Sequence, residues 1–213
     1  MKTVVGALLN FRGQWAAAEP AMYQEPHFKP PQHVVLYLKP ANTWRSSGDA
    51  VMLPSGVEEV EVGASLGVVM GRCASRVTES EAMQYVAGYV VVNDVTVPHS
   101  SLLRPPIKQK CRDSFCPMGA RVDVAGVPAP DELDIRVFVN GELKATNSTR
   151  NLIRPVARLI AEVTDFMTLE AGDVLLVGVP ENMPRARAGD TMAVEIDGVG
   201  RVENLLTEEG ANP

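Results

Sequence analysis

The sequence predicts a mixed, β-rich α+β fold, and three observations carry that reading. Short apolar runs separated by turn residues fill most of the chain, two pairs of them are joined by hairpin turns, and only one segment has sustained helical spacing. The first hairpin joins residues 135–139 to 142–146 through Asn140-Gly141, a pair that suits a type I′ turn because both residues tolerate positive φ. The second joins 192–196 to 201–206 through Asp197-Gly198. The helical segment is 151–167, where Leu152, Ile153, Val156, Leu159, Ile160, Val163, Phe166 and Met167 recur at three- and four-residue spacing. Asn151 is its expected cap, with Pro155 in the first turn, where a missing N–H costs little.

The remaining elements follow in order. Residues 1–9 read as a first core strand, because Asn10, Arg12 and Gln14 cut the apolar run too early for a secretory leader. Residues 19–33, with Pro20, Pro26, Pro30 and Pro31, read as an extended surface segment. Residues 34–38 form a strand, and Thr78-x-x-Glu81 is a capping-box pattern that predicts a short helix over 79–85. Residues 89–92 read as a buried strand leading into Asp94, and 174–177 as a strand entered through Ala171-Gly172-Asp173. One domain over 1–213 is expected from this length.

Composition bounds the function. The net charge of −6 argues against non-specific nucleic-acid binding, and no apolar run is long enough to cross a bilayer as a helix, so neither nucleic acid nor membrane is expected as a partner. Three cysteines without a Cys-x-x-Cys, and three scattered histidines, give no zinc spacing and fit reduced thiols in a cytoplasmic protein.

The most informative stretch is Val92-Asn93-Asp94-Val95, then Arg104-Pro105, then Lys110-Cys111-Arg112-Asp113-Ser114-Phe115-Cys116-Pro117-Met118-Gly119. It resembles the central signature of the fumarylacetoacetate hydrolase family. Leu38-Lys39-Pro40-x-Asn42-Thr43, Val68-Val69-Met70-Gly71-Arg72, residues 82–89, Val139-Asn140-Gly141-Glu142 and residues 166–173 resemble further family pieces in the right order. The resemblance implies a mixed β-sandwich roll that usually dimerises. Residues 101–117 are similar to the N-terminal half of a subgroup built as two tandem family domains, the isomerase/decarboxylases of 4-hydroxyphenylacetate (homoprotocatechuate) degradation.

The resemblance also implies a chemistry. A divalent cation, Mg²⁺ or Mn²⁺, chelates a 2-oxo or β-diketo acid and stabilises the enolate formed as a bond breaks or a proton moves. Asp94 matches one carboxylate ligand of that cation, with an Asp that merely ends a strand as the alternative. Gly63 and Ser65 stand where the other two ligands, both Glu, belong, so the metal site is expected to be incomplete. Glu59 and Glu61 form a Glu-x-Glu four residues early, about 13 Å along a strand, and read as a solvated strand end. The lid pair, His and Glu in the family, falls on Gln14 and Ala17, and the Gly-Thr-Pro motif reads Gly178-Val179-Pro180. Lys110 matches the lysine that supports the developing oxyanion. With Arg104, Lys108 and Arg112 it forms a basic cluster suited to a small polycarboxylate, with solvated surface charge as the alternative for Lys108 and Arg112. Lys39 reads as structural. Cys111 and Cys116 read as small buried residues, with activated thiols as the alternative.

Two function classes follow. In one, the chain is a subunit that decarboxylates 5-oxopent-3-ene-1,2,5-tricarboxylate or isomerises 2-hydroxyhepta-2,4-diene-1,7-dioate. In the other, it is a catalytically silent scaffold or regulatory partner of a metal-bearing paralogue. A homodimer or a hetero-oligomer with that paralogue is the expected assembly.

Overall fold

The structure, a computed structural model, describes residues 3–99 and 105–210. Among the described residues, an eight-stranded sheet runs in the order Val35–Leu38, Val4–Leu8, Val174–Leu176, Ala64–Met70, Val86–Asn93, Cys116–Met118, Trp44–Ser46, with Val122–Asp123 joined to Val86–Asn93 off that path. A five-stranded sheet runs Glu142–Ser148, Asp134–Val139, Thr191–Ile196, Gly200–Glu208, Val51–Leu53. A two-stranded ribbon pairs Val60–Glu61 with Arg185–Ala186.

The larger sheet is apolar on both faces, and the pleat explains why its strands read as unbroken apolar runs. Val5, Ala7, Leu66, Val68, Tyr89, Val91 and Leu175 point into the main core, shared with Ile135, Val137, Val194, Val202 and Leu206 of the smaller sheet. Their neighbours Val4, Val90, Val92, Val174 and Leu176 point the other way, into a second cluster with Tyr37 and Cys116. The smaller sheet alternates more sharply. Between its buried residues stand Arg136, Glu195, Arg201 and Glu203, which pair with one another on the outer face.

Three α-helices are described: α1 (Arg12–Met22), α2 (Ile107–Lys110) and α3 (Val156–Thr164). The expected helix over 151–167 is α3, shorter at both ends. Pro155 stands just before it in an extended conformation, which holds the preceding residues out of the helix. Asn151 belongs to a separate turn, Thr149–Asn151, and the Val156 N–H is capped instead by Asp131 Oδ1 at 2.9 Å. Val156, Leu159, Ile160 and Val163 form the buried stripe. The helix α1 was not expected, and it replaces the first part of the extended 19–33 segment. Its Ala16-Ala17-Ala18 run favours helix, but only Met22 is buried, so it has no apolar stripe to read. The helix expected over 79–85 is a single turn, Ala82–Tyr85. Asn140 and Gly141 take φ of 53° and 77°, as a type I′ hairpin requires.

Candidate functional site

Strand ends bring the polar residues together. Asp94 immediately follows the strand Val86–Asn93 and lies opposite Gly63, whose carbonyl accepts the Asp94 N–H at 2.6 Å. The edge strand Val35–Leu38 lays Tyr37 across Gly6, where a Cβ would stand 2.2 Å from the Tyr37 ring, so the glycine lets the phenol reach inward. Lys39 follows that strand, and Lys110 ends α2.

Asp94 and Lys39 are wholly buried, and the side chain of Lys110 is 7% exposed. Asp94 Oδ2 accepts the Tyr37 hydroxyl and the Lys110 ammonium, the latter at 2.8 Å. Lys110 Nζ also donates to Thr96 Oγ1 at 2.8 Å and sits 4.5 Å above the centre of the Tyr37 ring. Lys39 Nζ donates to the carbonyls of Val95, Lys110 and Phe115 at 2.8, 2.9 and 2.8 Å, and lies 2.6 Å from Asp94 Oδ1. Four oxygens thus surround an ammonium with three N–H groups, and the Asp94 Oδ1 contact is the shortest of them.

Charge and burial compete here. Burial alone pushes the Asp94 carboxyl up, but the Lys110 and Lys39 charges outweigh it and hold it below its ordinary range. Burial lowers the Lys110 ammonium, and the Asp94 charge only partly restores it. Burial, then the Asp94 charge, raises the Tyr37 phenol well above its ordinary range, so it stays a neutral donor.

The other sequence-predicted residues lie differently. Arg104 falls outside the described residues. Lys108 is exposed, and Arg112 Nε donates to its carbonyl at 2.8 Å. Two residues apart on α2, Lys108 and Lys110 cannot share a face. Cys116 is wholly buried and its thiol is pushed up to about 12 by burial, while burial also raises Cys111, whose Sγ donates to the Leu38 carbonyl at 3.2 Å. Neither is an activated thiol. Gln14 Oε1 accepts the Leu9 N–H at 2.8 Å, and Ala17 is exposed on α1. Glu59 pairs with Arg185 and with Arg187, the latter at 3.6 Å. Glu61 is half-buried beside Thr96, close enough that its charge supports the Lys110 ammonium. A cavity of about 510 Å³ lies elsewhere, lined by Trp44, Arg45, Val90, Met118 and Arg121 among others, and it includes no member of the Asp94 cluster.

Sequence reasoning missed Tyr37 and Thr96, and gave Lys39 a structural part without placing it against Asp94. A lysine directly after a strand, and a tyrosine on the inward position of that strand, were the available signals.

A divalent cation does not fit this arrangement. Among the described residues no group of three His, Cys, Asp or Glu side chains converges. A Cβ at Gly63 would stand 2.3 Å from the Asp94 carbonyl oxygen, Ser65 Oγ makes only a 3.5 Å contact with the Leu66 carbonyl, and both Asp94 oxygens already face ammonium groups.

Residues 3–207 match the family described as fumarylacetoacetate (FAA) hydrolase C-terminal. The 4-hydroxyphenylacetate degradation bifunctional isomerase/decarboxylase of Escherichia coli is 37% identical over 97% of this chain, and the chain spans about half, 47%, of that relative's length. Two solved structures share the fold. The 2-hydroxyhepta-2,4-diene-1,7-dioate isomerase of Mycobacterium marinum superposes with a TM-score of 0.81 at 26% identity, covering 98% of this chain and 75% of its own. Maleylpyruvate hydrolase of Sphingobium sp. SYK-6, solved with manganese(II) and pyruvate, gives 0.79 at 25% identity, covering 97% and 70%.

Proposed function

The chain belongs to the fumarylacetoacetate hydrolase family, and from that premise we propose that it is a subunit of a 5-oxopent-3-ene-1,2,5-tricarboxylate decarboxylase / 2-hydroxyhepta-2,4-diene-1,7-dioate isomerase in homoprotocatechuate catabolism. The observation that carries this reading is Lys110, an almost buried ammonium fixed by Asp94 and Thr96 over the Tyr37 ring. Loss of CO₂ from a β-oxo acid leaves an electron pair that must settle on an oxygen, and the isomerisation passes through the same kind of enolate. A cation pre-set in a dry site stabilises that oxygen without reorganising. Asp94 and Thr96 orient the ammonium, and Tyr37 keeps Asp94 in place. Arg104, Lys108 and Arg112 are assigned to attracting and holding the substrate's remaining carboxylates.

The same reading takes residues 1–213 as one cytoplasmic domain working as a homodimer or beside a metal-bearing paralogous subunit. The similarity to half of a bifunctional relative supports it. A second reading, a catalytically silent scaffold for that paralogue, is favoured by one observation: Gly63 and Ser65 stand in place of two carboxylates. No helix of the described residues is long and apolar enough to cross a membrane.

The test is decarboxylation and isomerisation by the chain alone and with its paralogue, each with and without Mg²⁺. Turnover alone, or a mixed rate that Lys110→Met lowers, supports the enzymatic subunit. A mixed rate equal to that of the paralogue by itself sinks it.

A further inference from the structure

The two edges of the larger sheet, Val35–Leu38 and Trp44–Ser46, stand at opposite ends of its strand order, yet only residues 39–43 join them. Laid flat, the strands would put those edges about 29 Å apart, while the link between them reaches about 20 Å. The sheet therefore curls on itself, around the second apolar cluster. The Asp94 cluster closes one end of the curl. At the other end lies the cavity of about 510 Å³, a volume in the usual range for small-molecule sites. Val90 on its floor stands four positions before Asp94, about 13 Å along a strand, so the two places are distinct.

We propose that this cleft is a second small-molecule site, built for an aryl monocarboxylate, with Trp44 and Met118 against the ring and Arg45 on the carboxylate.

The apolar part of the ligand follows from the walls. Val90 and Val174 are buried in the floor, and Val69, Trp44 and Met118 beside them are only partly buried. An indole and a thioether over valines suit a flat apolar group, which gains by stacking and by leaving water. The charge follows from a donor count. Arg45, Arg121 and Asp49 line the same cleft. Arg121 is paired with Asp123 at 3.0 Å, and Asp49 Oδ2 accepts the Ser46 N–H at 2.9 Å. Arg45 is half-buried, donates to the Trp44 carbonyl at 2.7 Å, and has no acid partner among the described residues. A guanidinium carries five N–H groups in a fork that matches a carboxylate. The remaining donors of Arg45 are the unmatched charge of the cleft, and an anion satisfies them. Asp49 limits that anion to one carboxylate, because a second would meet a like charge. The class thus differs from the polycarboxylates assigned to Lys110.

This site is independent of the proposed function, and the controls keep the two apart. Phenylacetate is titrated into the full chain carrying Trp15→Phe, which leaves Trp44 as the single tryptophan, and its emission is followed, with calorimetry on the wild type. Saturable binding with Kd of about a millimolar or tighter is expected. Arg45→Met should weaken phenylacetate about tenfold or more, the loss of one charge-assisted contact. Benzyl alcohol, which keeps the ring and lacks the carboxylate, should bind more weakly by the same factor, and this comparison decides the role of charge even where Arg45→Met fails to fold. Lys110→Met should leave phenylacetate affinity unchanged, and glutarate, a dicarboxylate, should not displace it. Absence of saturable binding overturns the proposal, as does equal affinity for benzyl alcohol. Binding that Lys110→Met abolishes and Arg45→Met spares puts the ligand in the Asp94 cluster and overturns it too. So does a dimer by light scattering in which Trp44 is shielded from acrylamide, because a second copy of the chain then fills the cleft.

Discussion

Replacing Lys39 with Met keeps the length of the buried stem and deletes the charge. The buried carbonyls of Val95 and Lys110 then lose this donor, that of Phe115 keeps only the Val95 N–H at 3.1 Å, and Asp94 loses one of two counter-ions. Hydrogen bonds to a charged group are each worth about 1.5–3 kcal/mol, and removing one partner of a buried ion pair costs about 3–5 kcal/mol. These terms overlap and do not add, because one ammonium makes all the contacts. A loss of at least about 5 kcal/mol is expected, comparable with the whole stability of many domains. At roughly 2–4 °C per kcal/mol for this size, Tm should fall by about 10–20 °C or the variant should fail to fold. Trp44 reports locally, since its indole N–H donates to the Lys39 carbonyl at 2.8 Å. Urea unfolding followed by tryptophan fluorescence and by circular dichroism checks the size of the change. A loss below about 2 kcal/mol would mean that water or neighbouring groups satisfy the carbonyls, and this reading of Lys39 would be wrong.

Four further outcomes are expected. Lys110→Met should weaken glutarate about tenfold to a hundredfold by calorimetry, one charge-assisted hydrogen bond's worth, with a smaller stability loss than Lys39→Met; Lys108→Met should weaken glutarate less than Lys110→Met and leave stability nearly unchanged. Gly63→Ala should cost about 1–3 kcal/mol or more in urea unfolding, since its Cβ would meet the Asp94 carbonyl oxygen at 2.3 Å and backbone must shift. Because the folded Asp94 carboxyl lies below its unfolded value near 3.9, its stabilisation is present above about pH 4 and is lost as pH falls through the folded value; Asp94→Asn should flatten the stability–pH slope at the acid end. At pH near 8 the exposed Cys73 should react with a thiol reagent, while Cys116, buried with its thiol pushed up to about 12, should react only on unfolding.

What the sequence made legible was local pattern and motif order. The hairpin at Asn140-Gly141 and the apolar stripe of α3 are set by residues within one turn of each other, and both lie where expected. The N-terminal end of α3 was misjudged because its cap, Asp131, is 25 residues away from the Val156 N–H it accepts, so no local pattern announces it. The helix α1 was missed because it buries so little that its positions carry no period. Motif matching brought forward Asp94 and Lys110, and they meet at 2.8 Å. It did not reveal that Lys39, 55 positions before Asp94, closes the same cluster, because besides the Asp94 carboxylate its ammonium is held by backbone carbonyls, which every residue type supplies. Lys110 already stood apart from Lys108 and Arg112 by its match to the family lysine, and the short α2 gives the physical reason, turning Lys110 inward and leaving Lys108 outside.

The central claim is that an ammonium, not a metal ion, is the electrophile of this chain. The most direct measurement is CO₂ release from 5-oxopent-3-ene-1,2,5-tricarboxylate by the EDTA-treated chain, wild type beside Lys110→Met. The account predicts release that EDTA does not abolish and that Lys110→Met slows at least about tenfold, the loss of one charge-assisted contact. Release that appears only when Mg²⁺ is restored, or that Lys110→Met leaves unchanged, would contradict it.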